Sequence, residues 1–169
     1  TGVQTCALPI YRDRFDYRRA LVGFARDLNS DLDLQRLADR LVTRVADTLV
    51  IDRMTLMLSD DVTTHFGSVR AFGFGGGQPP ALRRLTGVGR RLDDGHIVAL
   101  DDPIAVSRFA VEEIEFWRDA GLYYFTPCVA NEGTIAVLAL GRKSSGEPLN
   151  SEDIGLLTAV AGQMATRSE

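Results

Sequence analysis

The sequence predicts an α+β fold, and three observations carry that reading. Residues 122–130 (LYYFTPCVA) and 134–140 (TIAVLAL) are rich in aromatic and β-branched residues, and Asn131-Glu132-Gly133 between them is a short turn with glycine where positive φ is easiest. The 134–140 run is apolar at both alternating sets of positions, so it reads as a strand covered on both faces. Amphipathic helices flank the strands. In the first, Leu34, Leu37, Leu41, Val45 and Leu49 form one face, opposite Arg36, Asp39, Arg40, Arg44 and Asp47. In the second, Asn150 or Ser151 caps a helix with Glu152 and Asp153 in its first turn and Ile154, Leu157, Ala161 and Met164 along its apolar stripe.

Bulk properties exclude several classes. A chain of 169 residues fits one domain with a sizeable core. A net charge of −4 leaves no electrostatic footprint for nucleic acid or for an anionic membrane. No apolar run approaches the ~20 residues needed to span a bilayer, so a membrane anchor would have to lie elsewhere in a parent protein. Residues 1–10 (TGVQTCALPI) match the in-frame translation of a short-read sequencing adapter, and Arg167-Ser168-Glu169 match its reverse complement. Both are set aside as non-structural, which leaves about residues 11–166 as natural sequence from a longer chain. Cys6 goes with the first of them. Cys128 then remains as a single thiol, in keeping with a reducing cytoplasm.

Taken in order, residues 11–29 form a helix in which Tyr17, Leu21, Phe24 and Leu28 recur as a narrow seam, suited to a bundle contact or to packing on its own domain. Asp33 is the cap of the next helix. Residues 53–58 (RMTLML) are the first strand, ended by Asp60-Asp61, and 68–74 the second. Gly75-Gly76-Gly77 and Pro79-Pro80 break the chain, and 81–85 is a helical turn or loop. The 87–100 stretch is hard to read beyond a short strand at 96–100. Residues 112–120 form a short helix stopped by Gly121, with Ile114, Phe116 and Trp117 apolar.

Catalytic motifs are sparse. Residues 73–77 (GFGGG) lack the distal Gly-Lys-Ser/Thr of a phosphate loop, and Gln78 stands where a dinucleotide fingerprint needs glycine. No Gly-x-Ser-x-Gly elbow occurs, and neither His65 nor His96 has an acid at a recognisable spacing. Two histidines and Cys128 on separate segments give no zinc spacing, so no motif calls for a metal or cofactor. The adjacent carboxylates Asp93-Asp94, Asp101-Asp102 and Glu112-Glu113 read as solvated. Cys128, mid-strand, reads as a small buried hydrophobe, with a thiol sensor as the alternative.

The strand ending in Phe125-Thr126-Pro127-Cys128, the GTIAVLALG run at 133–141, the SEDIGLL helix start at 151–157, and Asp52-Arg53 between a long helix and a strand together resemble the GAF domain, closest to those of bacterial sensor histidine kinases. The resemblance covers residues 30–166. It implies a central antiparallel sheet of five or six strands. The terminal and second helices would lie on one face, with loops and the 112–120 helix over the other as the roof of a ligand pocket. It also implies a non-catalytic sensory module that acts on a downstream kinase domain, and a homodimer made through the terminal helices.

The residues this points to for signal transmission are Tyr17, Leu21, Phe24, Leu28, Leu157, Ala161 and Met164. For a small-molecule ligand they are Phe72, Phe74, His96, Phe116, Tyr124 and Cys128, within an aromatic set that also holds Phe109, Trp117, Tyr123 and Phe125. The cyclic-nucleotide constellation of some GAF domains runs Asn-Lys-Phe-Asp-Glu and cannot be placed, because Lys143 is the sole lysine and no phenylalanine follows it. Sulfoxide-reducing relatives use several cysteines, and bilin-binding ones carry a cysteine in the middle region; this chain has neither. A ligand-free dimerisation spacer and a Cys128-dependent redox sensor are the alternatives.

Overall fold

The computed structural model describes residues 34–168. The expected N-terminal helix with Tyr17, Leu21, Phe24 and Leu28, the Asp33 cap and residues 1–10 lie outside the described residues. Helix α1 (Leu34–Leu49) buries Ala38, Leu41, Val42, Val45, Ala46 and Leu49. This stripe is broader than the leucine spacing alone picks out, because small residues one position along fall on the same side. The helix ends at Val50, whose φ of 54° is unusual for a β-branched residue. The Ile51 amide then donates back to the Ala46 carbonyl at 3.1 Å, closing the last turn.

Strand β1 (Met54–Asp60) pairs with β2 (His65–Phe72) as an antiparallel hairpin. Asp60 organises the turn, its carboxylate accepting from the amides of Val62 and Thr63 at 2.9 and 3.3 Å. The hairpin is tighter than the sequence suggests, so β2 runs earlier than the expected 68–74. It ends before Gly73, where φ is +87° and a Cβ would lie 1.8 Å from the Asp52 carbonyl oxygen. Residues expected as a helical turn or loop at 81–85 instead include strand β3 (Leu82–Arg83) on the edge of β2. The chain then makes α2 (Gly87–Asp93), β4 (Val98–Ala99), α3 (Pro103–Val106) and α4 (Val111–Asp119). It closes with β5 (Tyr124–Ala130), β6 (Gly133–Leu140) and α5 (Ser151–Ser168).

The six strands lie in the order β3-β2-β1-β6-β5-β4, every neighbour antiparallel. Central β6 is buried on both sides, as its doubly apolar pattern requires. One face carries α1 and α5: Leu41, Val45 and Leu49 meet Met54, Leu56, Leu138 and Leu140, and the same cluster takes in Leu157, Val160 and Ala161. The other face carries α2, α4 and the connecting loops, where Val88, Leu92, Ile114 and Trp117 cover Met57, Phe66, Phe125 and Val137. Each face is a full hydrophobic layer, so the architecture is a helix–sheet–roof sandwich.

Candidate functional site

The roof is stitched down by polar contacts that fix its elements relative to the sheet. Glu113 on α4 accepts from the Val88 amide of α2 at 3.1 Å, and a Cβ on Gly87 would collide with that same carboxylate. Thr134 on β6 donates to the Leu92 carbonyl at 2.7 Å, holding the end of α2 to the central strand. Arg118 donates to the Leu100 carbonyl at 2.8 Å. Arg53 donates to Ala120 at 2.7 Å and Gly73 at 3.0 Å while lying 5.0 Å from the Phe74 ring centre, and Gly121 leaves room for its guanidinium.

Beneath this roof the sheet centre is covered by a packed apolar layer. Trp117 meets Phe125 edge-on at 5.3 Å, in one buried cluster with Met57, Phe66 and Leu122, and on its outer side meets Phe116 at 5.0 Å. At the outer edge of the roof, between α2, β4 and α3, the structure is open. A cavity of about 150 Å³ is lined there by Arg91, Ile97, Val98, Ile104, Arg108 and Phe109, among others. That is roughly half of the ~300 Å³ at which drug-sized pockets begin, so a nucleotide or tetrapyrrole does not fit as the roof stands. The larger concavity, along the β1–β2 turn, is an open trough. Its acids are already engaged, Asp60 with turn amides and Asp61 with Arg84 at 2.8 Å.

The six expected ligand residues do not gather at the cavity. Phe72, at the end of β2, is 42% exposed, and Phe116 turns outward from α4 at 52%. His96 is exposed in the α2–β4 turn. Phe74 packs at the margin of the roof layer under Arg53. Tyr124 and Cys128 point to the opposite face, into the layer shared with α1 and α5. Strand alternation is the reason: Phe125 faces the roof, so Tyr124 and the even-numbered residues of β5 face the helices. Burial pushes the Cys128 thiol up to about 12, which leaves it protonated and inert at neutral pH.

Tyr124 instead forms a clasp between the cavity's loop and the last helix. Its hydroxyl donates to the Asp101 carboxylate and accepts the Leu149 amide at 3.0 Å. Arg142 donates to the other Asp101 oxygen at 2.7 Å and lies over the Tyr123 ring at 4.4 Å. Asp102, next in the chain, lines the cavity and caps α3 by accepting the Ile104 amide at 3.0 Å. One residue beyond Leu149, Asn150 accepts the Asp153 amide at 2.8 Å while Asp153 accepts the Asn150 amide at 3.0 Å, a reciprocal cap on α5. Lys143 reaches the same Asp153 at 2.9 Å. Tyr124 is held protonated, its pKa raised first by burial and then by the bond to Asp101.

On α5, Leu157 and Ala161 are buried against the sheet, beside Leu156 and Val160, and Met164 is partly buried at the cluster's margin. The buried stripe is thus centred near Leu157 and Val160, and Ile154 and Met164 are its rims. No helix among the described residues is long and apolar enough to cross a membrane.

This arrangement of sheet, helical face and stitched roof is that of a sensory and regulatory class of domain. The family model for the GAF domain matches residues 33–167, and the chain belongs to that family. Solved structures agree in fold. The GAF domain of an Acinetobacter phosphoenolpyruvate-protein phosphotransferase superposes with a TM-score of 0.65 at 20% identity, covering 90% of each chain. A methyl-accepting chemotaxis protein fragment gives 0.66 at 20% identity over 86% of this chain and 94% of its own. The free methionine-R-sulfoxide reductase of Neisseria meningitidis, solved with its substrate, gives 0.65 at 14% identity over 89% and 87%. No curated protein matched significantly in sequence.

Proposed function

We propose that this GAF domain is the non-catalytic signal-input module of a cytoplasmic part of a two-component sensor histidine kinase. In this reading, a small molecule or protein partner acts on the roof, and the terminal helices carry the effect to a downstream kinase domain. The observation that carries the reading is the Tyr124 clasp, in which one hydroxyl joins the Asp101 loop beside the cavity to Leu149, two residues before α5. A ligand that favours one placement of that loop then favours one placement of the helix, a shift between populations. The kinase context is supported by the resemblance of the 133–141 and 151–157 runs to GAF domains of such kinases.

Leu157 and Ala161 would act through the domain's own core. Met164, with the Tyr17, Leu21, Phe24 and Leu28 seam, would face a second copy in a homodimer. The buried, protonated thiol of Cys128 speaks against a redox role. The packed apolar layer beneath the roof favours a second reading, a ligand-free dimerisation spacer. Reading the coding sequence past Thr166 tests the kinase context: a histidine-bearing helical hairpin followed by an ATP-binding domain is the expected continuation. A cyclase or phosphatase domain there would overturn it.

A further inference from the structure

We propose that the cavity between α2, β4 and α3 is a site for a small monocarboxylate with an apolar body, of the size of benzoate. This deepens the sensory reading and rests on it for its regulatory meaning. Three observations converge. Size comes first: at about 150 Å³ the cavity matches the roughly 150 Å³ of engineered cavities that take up benzene. The second is the charge of the lining. Arg91, from the last turn of α2, and Arg108, just beyond α3, both border the cavity, and neither forms an ion pair among the described residues.

Several other cations of the domain are ion-paired. Arg84 is taken by Asp61 and Asp93, Arg142 by Asp101 and Lys143 by Asp153. The one acid bordering the cavity, Asp102, already accepts the Ile104 amide. Two guanidiniums against one carboxylate leave a single positive charge, which suits a monoanion better than a phosphate dianion or a dicarboxylate. A planar guanidinium also matches a carboxylate in two-point geometry. Third, the lining has an apolar part beside its charged one, and that part is unfinished: Ile97 and Ile104, which border the cavity with Val98, Ala105 and Phe109, are 38% and 70% exposed. Covering them is the gain an apolar ligand body would supply.

The experiment is thermal shift and calorimetric titration of the chain with benzoate, with benzyl alcohol as the neutral analogue and benzylamine as the cation, repeated on an Arg91→Gln, Arg108→Gln double variant checked for fold by circular dichroism. Benzoate is expected to bind at least tenfold more tightly than either analogue. The double variant is expected to lose that preference while keeping its fold. Equal binding of benzoate and benzyl alcohol, a preference that survives in the double variant, or no binding of benzoate would each overturn the assignment. If the double variant fails to fold, Arg108→Lys, which keeps the charge and loses the planar fork, must weaken benzoate more than it weakens benzyl alcohol. Unchanged selectivity there overturns the assignment equally. Amide exchange of α5 is read in the same titration to separate the two claims. Selective benzoate binding without any change at α5 leaves the site standing and sinks the sensory reading, whereas failure to bind sinks only the site.

Discussion

Thr126 and Thr134 are both buried, yet only Thr134 has a partner. Its hydroxyl donates to the Leu92 carbonyl, whereas the Thr126 hydroxyl, on the helical face of β5, has no hydrogen-bond partner among the described residues. An unpaired buried hydroxyl costs about 1–3 kcal/mol, and replacing it by a methyl removes that cost. The same substitution should therefore have opposite signs: Thr126→Val stabilising by up to about 1 kcal/mol and Thr134→Val destabilising by about 1–2 kcal/mol in urea unfolding. Equal signs would contradict the assignment of partners.

Cys128 yields a pH prediction. Its folded pKa is raised by burial from the ordinary 9.0 to about 12, so between those values the unfolded chain binds fewer protons than the folded one. Stability must then fall as pH rises through that window, by at most about 1.4 kcal/mol per pH unit from this group. Unfolding measured from pH 8 to 10.5 should show a shallower decline in Cys128→Ala than in the parent; parallel profiles would contradict the burial argument.

At the scale of elements, legibility followed the strength of the local pattern. The β5–β6 hairpin and a cap of α5 at Asn150 or Ser151 could be read because periodicity and turn chemistry agreed, and the structure selects Asn150. The 81–100 stretch could not. Strands β3 and β4 are two residues each, and their conformation comes from edge pairing with β2 and β5 and not from any pattern of their own. The site suffered for a different reason. Aromatic character marks apolar surface without saying which side of the sheet it faces, so Tyr124 was grouped with Phe125 although alternation sends them to opposite layers. Arg91 and Arg108 carry no motif; only the fold of α2 and α3 sets them around one hollow. Asp101-Asp102, read as solvated, divide their work between the clasp and the cap of α3.

For the molecule as a whole, the two faces of the sheet carry different apolar layers, and the Tyr124 hydroxyl is a polar link between the roof side and the helical side. Apolar layers give no direction to a signal, because they resist displacement evenly. The Tyr124 hydroxyl does give one, since it joins a loop at the cavity edge to the entry of a single helix. Amide hydrogen exchange in a Tyr124→Phe variant tests this most directly. Loss of the hydroxyl leaves the buried Leu149 amide unpaired, at a cost of about 1–3 kcal/mol, so amides in the first two turns of α5 should exchange roughly tenfold faster or more. Those of α1, on the same face but outside the clasp, should keep their protection. Unchanged exchange in α5, or an equal loss in α1 and α5, would contradict the proposed route from roof to helix.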